Sequence, residues 1–215
     1  MKKIKLIFGV LVAILIIAVI YKVIDYRNHI PVKDMTDFTY AVELLGKEMA
    51  EVRQELGRDA RLFKRSEQTG MPTSQFISKK SYKVEHSKEY ADIRLDYPDD
   101  NEDAMLDMVY YYINYEDSDN MQEVWEWVYT QWNALEKHFG RQADYTGGRT
   151  MNPILVYEDT LPGAKWVAGW KQGEGPEAEI VCVKVVMAAN HLLRLELYTE
   201  TNPEEITAIK AIVTE

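Results

Sequence analysis

The sequence predicts an α+β fold: an N-terminal transmembrane helix followed by two helix-plus-antiparallel-sheet repeats, with the helices on one face of the sheet. Three observations lead to this prediction. Residues 6–21 carry no charge, two later stretches place apolar residues at helical spacing before a glycine, and several segments are rich in β-branched and aromatic residues. We therefore expect a transmembrane signal anchor at residues 1–24, a stalk at 25–35, a first repeat at 36–117 and a second repeat at 118–215.

The first 24 residues have the composition of a signal anchor. As a helix, residues 6–24 would be roughly 28 Å long at ~1.5 Å per residue, close to the thickness of a bilayer core. Lys2, Lys3 and Lys5 precede the run, and the positive-inside bias then predicts a cytoplasmic N-terminus. A cleaved signal peptide is the alternative, but the run exceeds the usual ~7–15 residues and no A-x-A pattern follows it. We therefore expect a single-pass protein of the cell membrane with its C-terminal domain outside the cytoplasm.

The part after the anchor is strongly acidic. All 35 Asp and Glu but only 21 of the 25 Lys and Arg follow residue 24, which leaves a net charge of −14. Such a charge repels phosphate groups, so it argues against nucleic acid and against direct docking onto anionic lipid. Cys182 is the only cysteine, so no intramolecular disulfide can form, and we expect it to be a packed or half-exposed structural residue.

Two stretches have the pattern of amphipathic helices. The first ends at Gly57, as a C′ glycine should, but Gly46 interrupts it, so one long helix and two short ones fit equally well. The second runs from a cap at Ser118 or Asp119 to Gly140. The apolar stripes are Val42, Leu45, Met49, Val52 and Leu56 in the first, and Val124, Trp125, Val128, Trp132, Leu135 and Phe139 in the second.

Strand candidates follow each helix. Residues 93–97 alternate apolar and charged side chains, and residues 105–115 are too rich in Tyr and β-branched residues for a helix. Pro203 is expected at the first position of a short final helix. Residues 58–80 give no structural prediction. The other strand candidates are residues 153–157, 165–171, 178–187 and 192–199, with a tight hairpin at 189–191.

An internal repeat relates the two units. A shift of 83 residues lays Leu56-Gly57-Arg58 on Phe139-Gly140-Arg141 and Ala60 on Ala143, and it also aligns the two apolar stripes. Each helix is followed by a strand-rich stretch. The repeated unit is therefore predicted to be a helix followed by antiparallel strands.

The first helix resembles a known family. Residues 45–52 (LGKEMAEV), followed by residues 55–58 (ELGR), are similar to the "G-x-(S/T)-x-x-E-V … L-G-x-P" helix of β-lactamase-inhibitor-like and SmpA/BamE-like exported modules. The second unit lacks the first glycine, and Arg58 and Arg141 stand where the family has proline. The resemblance implies helices on one face of an antiparallel sheet and a protein-binding role, with no catalytic residue.

Acidic clusters and histidines do not form a recognisable chemical site. Asp99, Asn101 and Asp103 have the spacing of an EF-hand loop, but Ala104 replaces the required glycine and Tyr110 replaces the last ligand. A solvated hairpin loop is the preferred interpretation. The four histidines are too far apart for metal-ligand spacing. We therefore predict a non-enzyme with no catalytic residue, no metal and no cofactor. The histidines are His29, His86, His138 and His191.

Aromatic side chains are the candidate binding site. Tyr110 and Tyr112 share one face of the strand at 105–115, and Trp166 and Trp170 share one face of the strand at 165–171. Tyr and Trp are enriched in binding hot spots. We predict that these four residues lie open to solvent and bind a protein. The alternative is that they belong to the core.

Together these patterns predict a membrane-anchored, extracytoplasmic protein-binding module of the cell envelope. Its partners would be an unidentified envelope protein and, through the N-terminal helix, the membrane, but not nucleic acid. One alternative is an accessory subunit of an integral membrane complex. A cell-wall hydrolase or transferase is a third.

Overall fold

The computed structural model describes residues 2–28, 30–66, 74–99, 101–115, 118–148, 165–175, 178–188 and 191–207. The α+β class is confirmed. The helices are α1 (Lys2–Asn28), α2 (Phe38–Leu44), α3 (Met49–Leu56), α4 (Ser118–Phe139) and α5 (Pro203–Thr207), with a 3₁₀ helix at Gly57–Leu62. The strands are β1 (Phe63–Arg65), β2 (Ser74–Ser78), β3 (Tyr82–Lys83), β4 (Tyr90–Tyr97), β5 (Met108–Asn114), β6 (Tyr145–Gly148), β7 (Lys165–Gln172), β8 (Glu179–Ala188) and β9 (Leu192–Glu200).

Helix α1 requires a correction to the predicted fold class. Among the residues that the structure describes, no helix is long and apolar enough to cross a membrane, so the predicted transmembrane helix is wrong. The prediction counted residues 6–24 as one apolar span.

Gly46 divides the first apolar stripe into α2 and α3, which decides between the two alternatives. Its φ is +73°, a conformation that side chains with a Cβ rarely adopt. The backbone N–H of Gly46 donates to the carbonyl of Leu106 at 2.9 Å, and Leu106 N–H donates to the carbonyl of Lys47 at 2.8 Å. One continuous helix would use these backbone groups internally, so the pairing with Leu106 requires the break.

One antiparallel sheet joins both predicted units. Its strand order is β1-β2-β4-β5-β9-β8-β7-β6, and β3 pairs with β4. The last strand of each unit lies at the centre, where Tyr111 of β5 pairs with Leu195 of β9. From there β4, β2 and β1 follow on one side, and β8, β7 and β6 on the other. The two halves therefore share one core.

Helices cover the two faces of this sheet unequally. The side chains of α2, α3 and α4 contribute to the large core on one face, where Leu135 is fully buried and Trp132 is partly buried. On the opposite face, Ile206 of α5 packs with Val167, Ile180 and Cys182. The prediction that the helices lie on one face is therefore wrong for α5.

Two glycines explain how α5 approaches the sheet so closely. A Cβ on Gly147 would lie 2.1 Å from the carbonyl oxygen of Ile206, and a Cβ on Gly169 would lie 3.0 Å from Ile206 Cδ1. Because neither glycine has a side chain, the backbone of Ile206 can rest on β6 and its side chain on β7. Cys182 is buried beneath it, which confirms the expectation of a packed structural cysteine.

Most predicted elements lie near their expected bounds. Helix α4 and strands β7, β8 and β9 match their predictions to within one residue, whereas β4 begins at Tyr90 rather than at residue 93 and β5 begins at Met108 rather than at residue 105. Asn202 Oδ1 accepts a hydrogen bond from Glu204 N–H at 3.0 Å and so caps α5. Strands β1, β2, β3 and β6 have no counterpart in the sequence prediction. Residues 153–157, residues 189–190 of the predicted hairpin and His29 lie outside the described residues.

The chain before α2 is held against the fold by the 3₁₀ helix that comes after α3. The Oδ2 atom of Asp59 accepts hydrogen bonds from the backbone N–H groups of Val32 and Lys33, at 2.7 and 2.6 Å. Arg58 Nη2 donates to the carbonyl of Ile30 at 3.3 Å. Asp59 is fully buried, so the part of the predicted stalk from Ile30 onward is docked on the domain.

Candidate binding face

The four predicted site residues lie on opposite faces of the sheet. Tyr110 and Tyr112 are half-buried on the face away from α4. Trp166 and Trp170 are 1% and 0% exposed on the face that α4 covers. The prediction that all four residues lie open to solvent is therefore wrong for the two tryptophans, and the alternative of core residues applies to them.

The register of strand pairing explains this division. Trp166 pairs with Val185, which pairs with Leu195, which pairs with Tyr111. Directly paired residues point to the same face of a sheet. Trp166 therefore shares a face with the buried Tyr111 rather than with Tyr110 and Tyr112, which flank Tyr111 in the sequence.

The apolar stripe of α4 then selects this face for burial. The rings of Trp125 and Trp166 meet edge to face with centroids 5.0 Å apart. The Trp170 ring packs against the rings of Trp132 and Phe139, with centroid distances of 5.7 and 5.4 Å. Because such large apolar side chains gain most by leaving water, the helix packs where the tryptophans lie.

On the other face, a row of polar and aromatic side chains crosses the middle four strands. In one row, Arg94 of β4 pairs with Tyr110 of β5, which pairs with Glu196 of β9, which pairs with Lys184 of β8. We call this region the open face, because, among the elements that the structure describes, α2, α3 and α4 pack on the opposite face and α5 packs at β6 and β7. Its members are Arg94, Asp96, Tyr110, Tyr112, Lys184, Arg194 and Glu196.

The Arg94 side chain is held in place from two sides. Its guanidinium lies over the rings of Tyr110 and Tyr112, 4.4 and 5.7 Å from the two centroids. Arg94 Nε lies 2.7 Å from Asp96 Oδ1, and Nη2 donates to Asp96 Oδ2 at 2.9 Å. The two tyrosine rings stack on each other at 5.8 Å. This geometry combines an Arg–carboxylate ion pair, in which Nη2 makes the hydrogen bond, with a cation–π contact.

A second set of ion pairs extends the network across β8 and β9. Lys184 Nζ and Arg194 Nη2 lie 2.8 and 2.7 Å from the two carboxylate oxygens of Glu196. The Glu196 side chain is 6% exposed, whereas that of Arg194 is 39% exposed. One buried carboxylate therefore holds two cations, and Arg194 keeps part of its surface available to solvent.

Burial shifts the pKa values of several side chains on the open face. Burial raises the pKa of the Asp96 carboxyl, and the Arg94 guanidinium opposes this shift. Burial also raises the pKa of the Tyr110 and Tyr112 hydroxyls above the ordinary tyrosine value. In the described part of the chain, no group of three or more His, Cys, Asp or Glu could hold a metal ion.

Sequence reasoning identified the tyrosines but missed the charged residues around them. The available signal was the alternation in β4, where Arg94 and Asp96 lie between buried apolar residues and therefore point to the face opposite the core. The sequence pattern could not show that Lys184 and Glu196 belong to the same ion-pair network, because their position beside the tyrosines depends on which strands pair.

Comparison with known proteins gives no match: no protein-family model, no curated protein and no solved structure matches this chain. The resemblance to β-lactamase-inhibitor-like and SmpA/BamE-like modules stays a prediction.

Proposed function

We propose that this chain is a protein-binding module and that its open face docks a folded protein partner. The observation that carries the proposal is the fixed position of Arg94, which two tyrosine rings and the Asp96 carboxylate hold before any partner arrives. Arg and Tyr are among the residue types most enriched in binding hot spots.

Pre-organisation is what makes such a side chain useful for binding. Immobilising a flexible side chain at an interface costs about 0.5–1.5 kcal/mol. Arg94 is already ordered by its contacts within the sheet, and Glu196 orders Lys184 and Arg194 in the same way. A partner that lands on this face would therefore lose little side-chain entropy on the module's side of the interface.

The competing explanation is that the open face is only the solvent side of an amphipathic sheet. Surface ion pairs of this kind usually contribute about 0–1 kcal/mol to stability and need no partner. The two explanations differ in what Tyr112 does. On a solvent face its removal changes little, whereas at the centre of an interface its removal typically costs ~2 kcal/mol or more of affinity, about 30-fold.

Capture of a partner by variants of the full chain separates the two explanations. We expect Tyr112→Ala and Arg94→Ala to fold normally and to lose the proteins that the parent captures after cross-linking. Tyr129→Ala is the matched control, because Tyr129 is an exposed tyrosine on the outer side of α4. The proposal is overturned if Tyr112→Ala captures the same proteins, or if Tyr129→Ala loses them equally. The extracytoplasmic location and the envelope origin of the partner stay predictions.

A further inference from the structure

A pocket of about 270 Å³ lies between α3 and the outer strands of the first half of the sheet. Its floor is apolar and is formed by buried side chains such as Met49, Leu56, Phe63 and Leu95. The pocket is far from the open face, because its strand residues point to the helix-covered side of the sheet. It is therefore a separate candidate site.

The repeat explains why space remains here. Met49 and Leu56 occupy the positions of Trp132 and Phe139 one repeat earlier. In the second half those larger rings pack directly on Trp170 beneath the helix. In the first half the smaller side chains leave the volume empty. The pocket therefore results from residue choice at equivalent positions of the repeat.

The mouth of the pocket carries positive charge. Arg53 of α3 and Arg65 of β1 lie at the rim, together with Glu102. In the described part of the chain no carboxylate forms an ion pair with Arg53. Burial raises the pKa of the Tyr97 hydroxyl, and the positive charge of Arg53 opposes this rise. Arg65 donates to Ser74 Oγ at 2.8 Å. Arg53 is therefore the cation available to a ligand.

We propose that this pocket binds a small amphiphilic carboxylate, with its apolar body between α3 and the sheet and its carboxylate at Arg53. An apolar cavity of about 150 Å³ holds a benzene, so ~270 Å³ accommodates an apolar body of about ten heavy atoms. An anionic head group is selected because Arg53 offers planar N–H donors that match a carboxylate, in a chain whose overall charge of −10 otherwise repels anions.

Calorimetric titration of the full chain with decanoate and with 2-naphthoate tests the proposal. Because α1 exposes apolar side chains, the full chain is kept in solution with an amphipathic polymer. The polymer is chosen to be too large to enter the pocket. We expect saturable one-site binding of at least one carboxylate. The naphthoate arm distinguishes an aromatic body from an alkyl one. Absence of saturable binding for both ligands overturns the proposal.

Three variants test the position and the charge. Met49→Trp places the ring of the second repeat into the pocket and should abolish binding, while far-UV dichroism shows that the chain is folded. If that variant does not fold, Ala60→Leu narrows the same pocket. Arg53→Gln should weaken decanoate binding about fivefold and leave decanol binding unchanged. Arg61→Gln, an exposed arginine away from the pocket lining, is the matched control.

Each result has a defined meaning. Decanoate binding that survives both Met49→Trp and Ala60→Leu would come from the polymer or another surface and would overturn the site. Equal affinity of the parent chain for decanoate and decanol would overturn the role of Arg53. An equal loss in Arg53→Gln and Arg61→Gln would reduce the effect to general electrostatics and would also overturn it.

Discussion

The two halves of the sheet meet the same packing requirement with different side chains. In the second half, the single helix α4 places Trp132 and Phe139 against Trp170. In the first half, Met49 and Leu56 hold the equivalent positions and a pocket of about 270 Å³ remains. The difference teaches that one repeated plan yields either a filled core or a pocket, depending on the size of the helix side chains that face the sheet.

A second difference lies in the contacts made by the residues directly after α3 and α4. Arg58 and Arg141 occupy the same repeat position, next to the glycine that ends each helix. In the first half, Arg58 and Asp59 hold the backbone that precedes α2. In the second half, Arg141 donates to the carbonyl of Lys171, and Asp144 Oδ2 accepts from the backbone N–H of Lys171 at 2.7 Å. The same pair of residue types thus holds the incoming chain in one half and strand β7 in the other.

Trp170→Ala should have the largest effect and tests whether the second half is the filled one. Trp170 is fully buried, so its removal leaves a cavity that costs about 3–5 kcal/mol. Phe76→Ala removes a partly buried ring that already lines the pocket, so we expect about 1–2 kcal/mol. Urea unfolding measures both losses in the free energy of unfolding. Equal losses would mean that the two halves are packed alike.

Asp59→Ala tests the difference between the two Arg–Asp pairs. It removes a fully buried acceptor and leaves two backbone N–H groups without it, so we expect a loss of about 1.5–3 kcal/mol. Asp144 is 34% exposed, and water can replace it, so Asp144→Ala should cost under about 1 kcal/mol. Denaturant unfolding gives both values. Proteolysis near residue 33 should also accelerate only in Asp59→Ala, and a larger loss in Asp144→Ala would reverse the comparison.

Met49→Trp should make the first half resemble the second. Filling an apolar pocket without strain typically stabilises a protein by about 0.5–2 kcal/mol. An increase in the free energy of unfolding is the informative result, because a large side chain inserted into a core that is already full destabilises the protein. Thermal unfolding of this variant beside Trp132→Met, the reverse exchange, measures it. A lower melting temperature for Met49→Trp would show that the pocket does not accept the ring.

Alkaline pH should destabilise the second half through Cys182. Burial raises the pKa of its thiol from 9.0 to about 12. Below pH 9 the thiol is protonated in both states, so stability does not change there on its account. Between about pH 9 and 12 the unfolded chain releases the proton and the folded chain keeps it, so stability falls as pH rises. The unfolding free energy of Cys182→Ala should decline with pH less steeply, by up to about 1.4 kcal/mol per pH unit. Identical slopes would contradict the shift.

Several parts of the fold are predictable because their signals are local. Helix α4 carries a complete apolar stripe, and Gly140 ends it with φ +68°. Alternation in β4 and β5 separates the buried from the half-buried side chains correctly, including Tyr111 from Tyr110. Strand β6 gave no such signal, since its Tyr-Thr-Gly-Gly sequence lacks apolar alternation and is ordered by pairing with β7.

The candidate site was only half predictable. Tyr110 and Tyr112 were found, because residue type and alternation are visible in the sequence. Trp166 and Trp170 were placed on the wrong side of the protein, because alternation divides a strand into two faces without saying which face a helix covers. The pocket at Arg53 left no local signal, since its lining comes from α3, the 3₁₀ helix, three strands and the loop that carries Glu102, which only the fold brings together.

By itself, the sequence determined the α+β class, the helix ends at Gly57 and Gly140, and the two faces of each long strand, because these depend on backbone preference and short-range periodicity. Only the tertiary structure decided that β5 pairs with β9, that α4 covers the tryptophans and that α5 lies on the opposite face. These choices compare the burial energies of surfaces far apart in the chain. No local stretch contains the information, since each face becomes inner or outer only when another element packs on it.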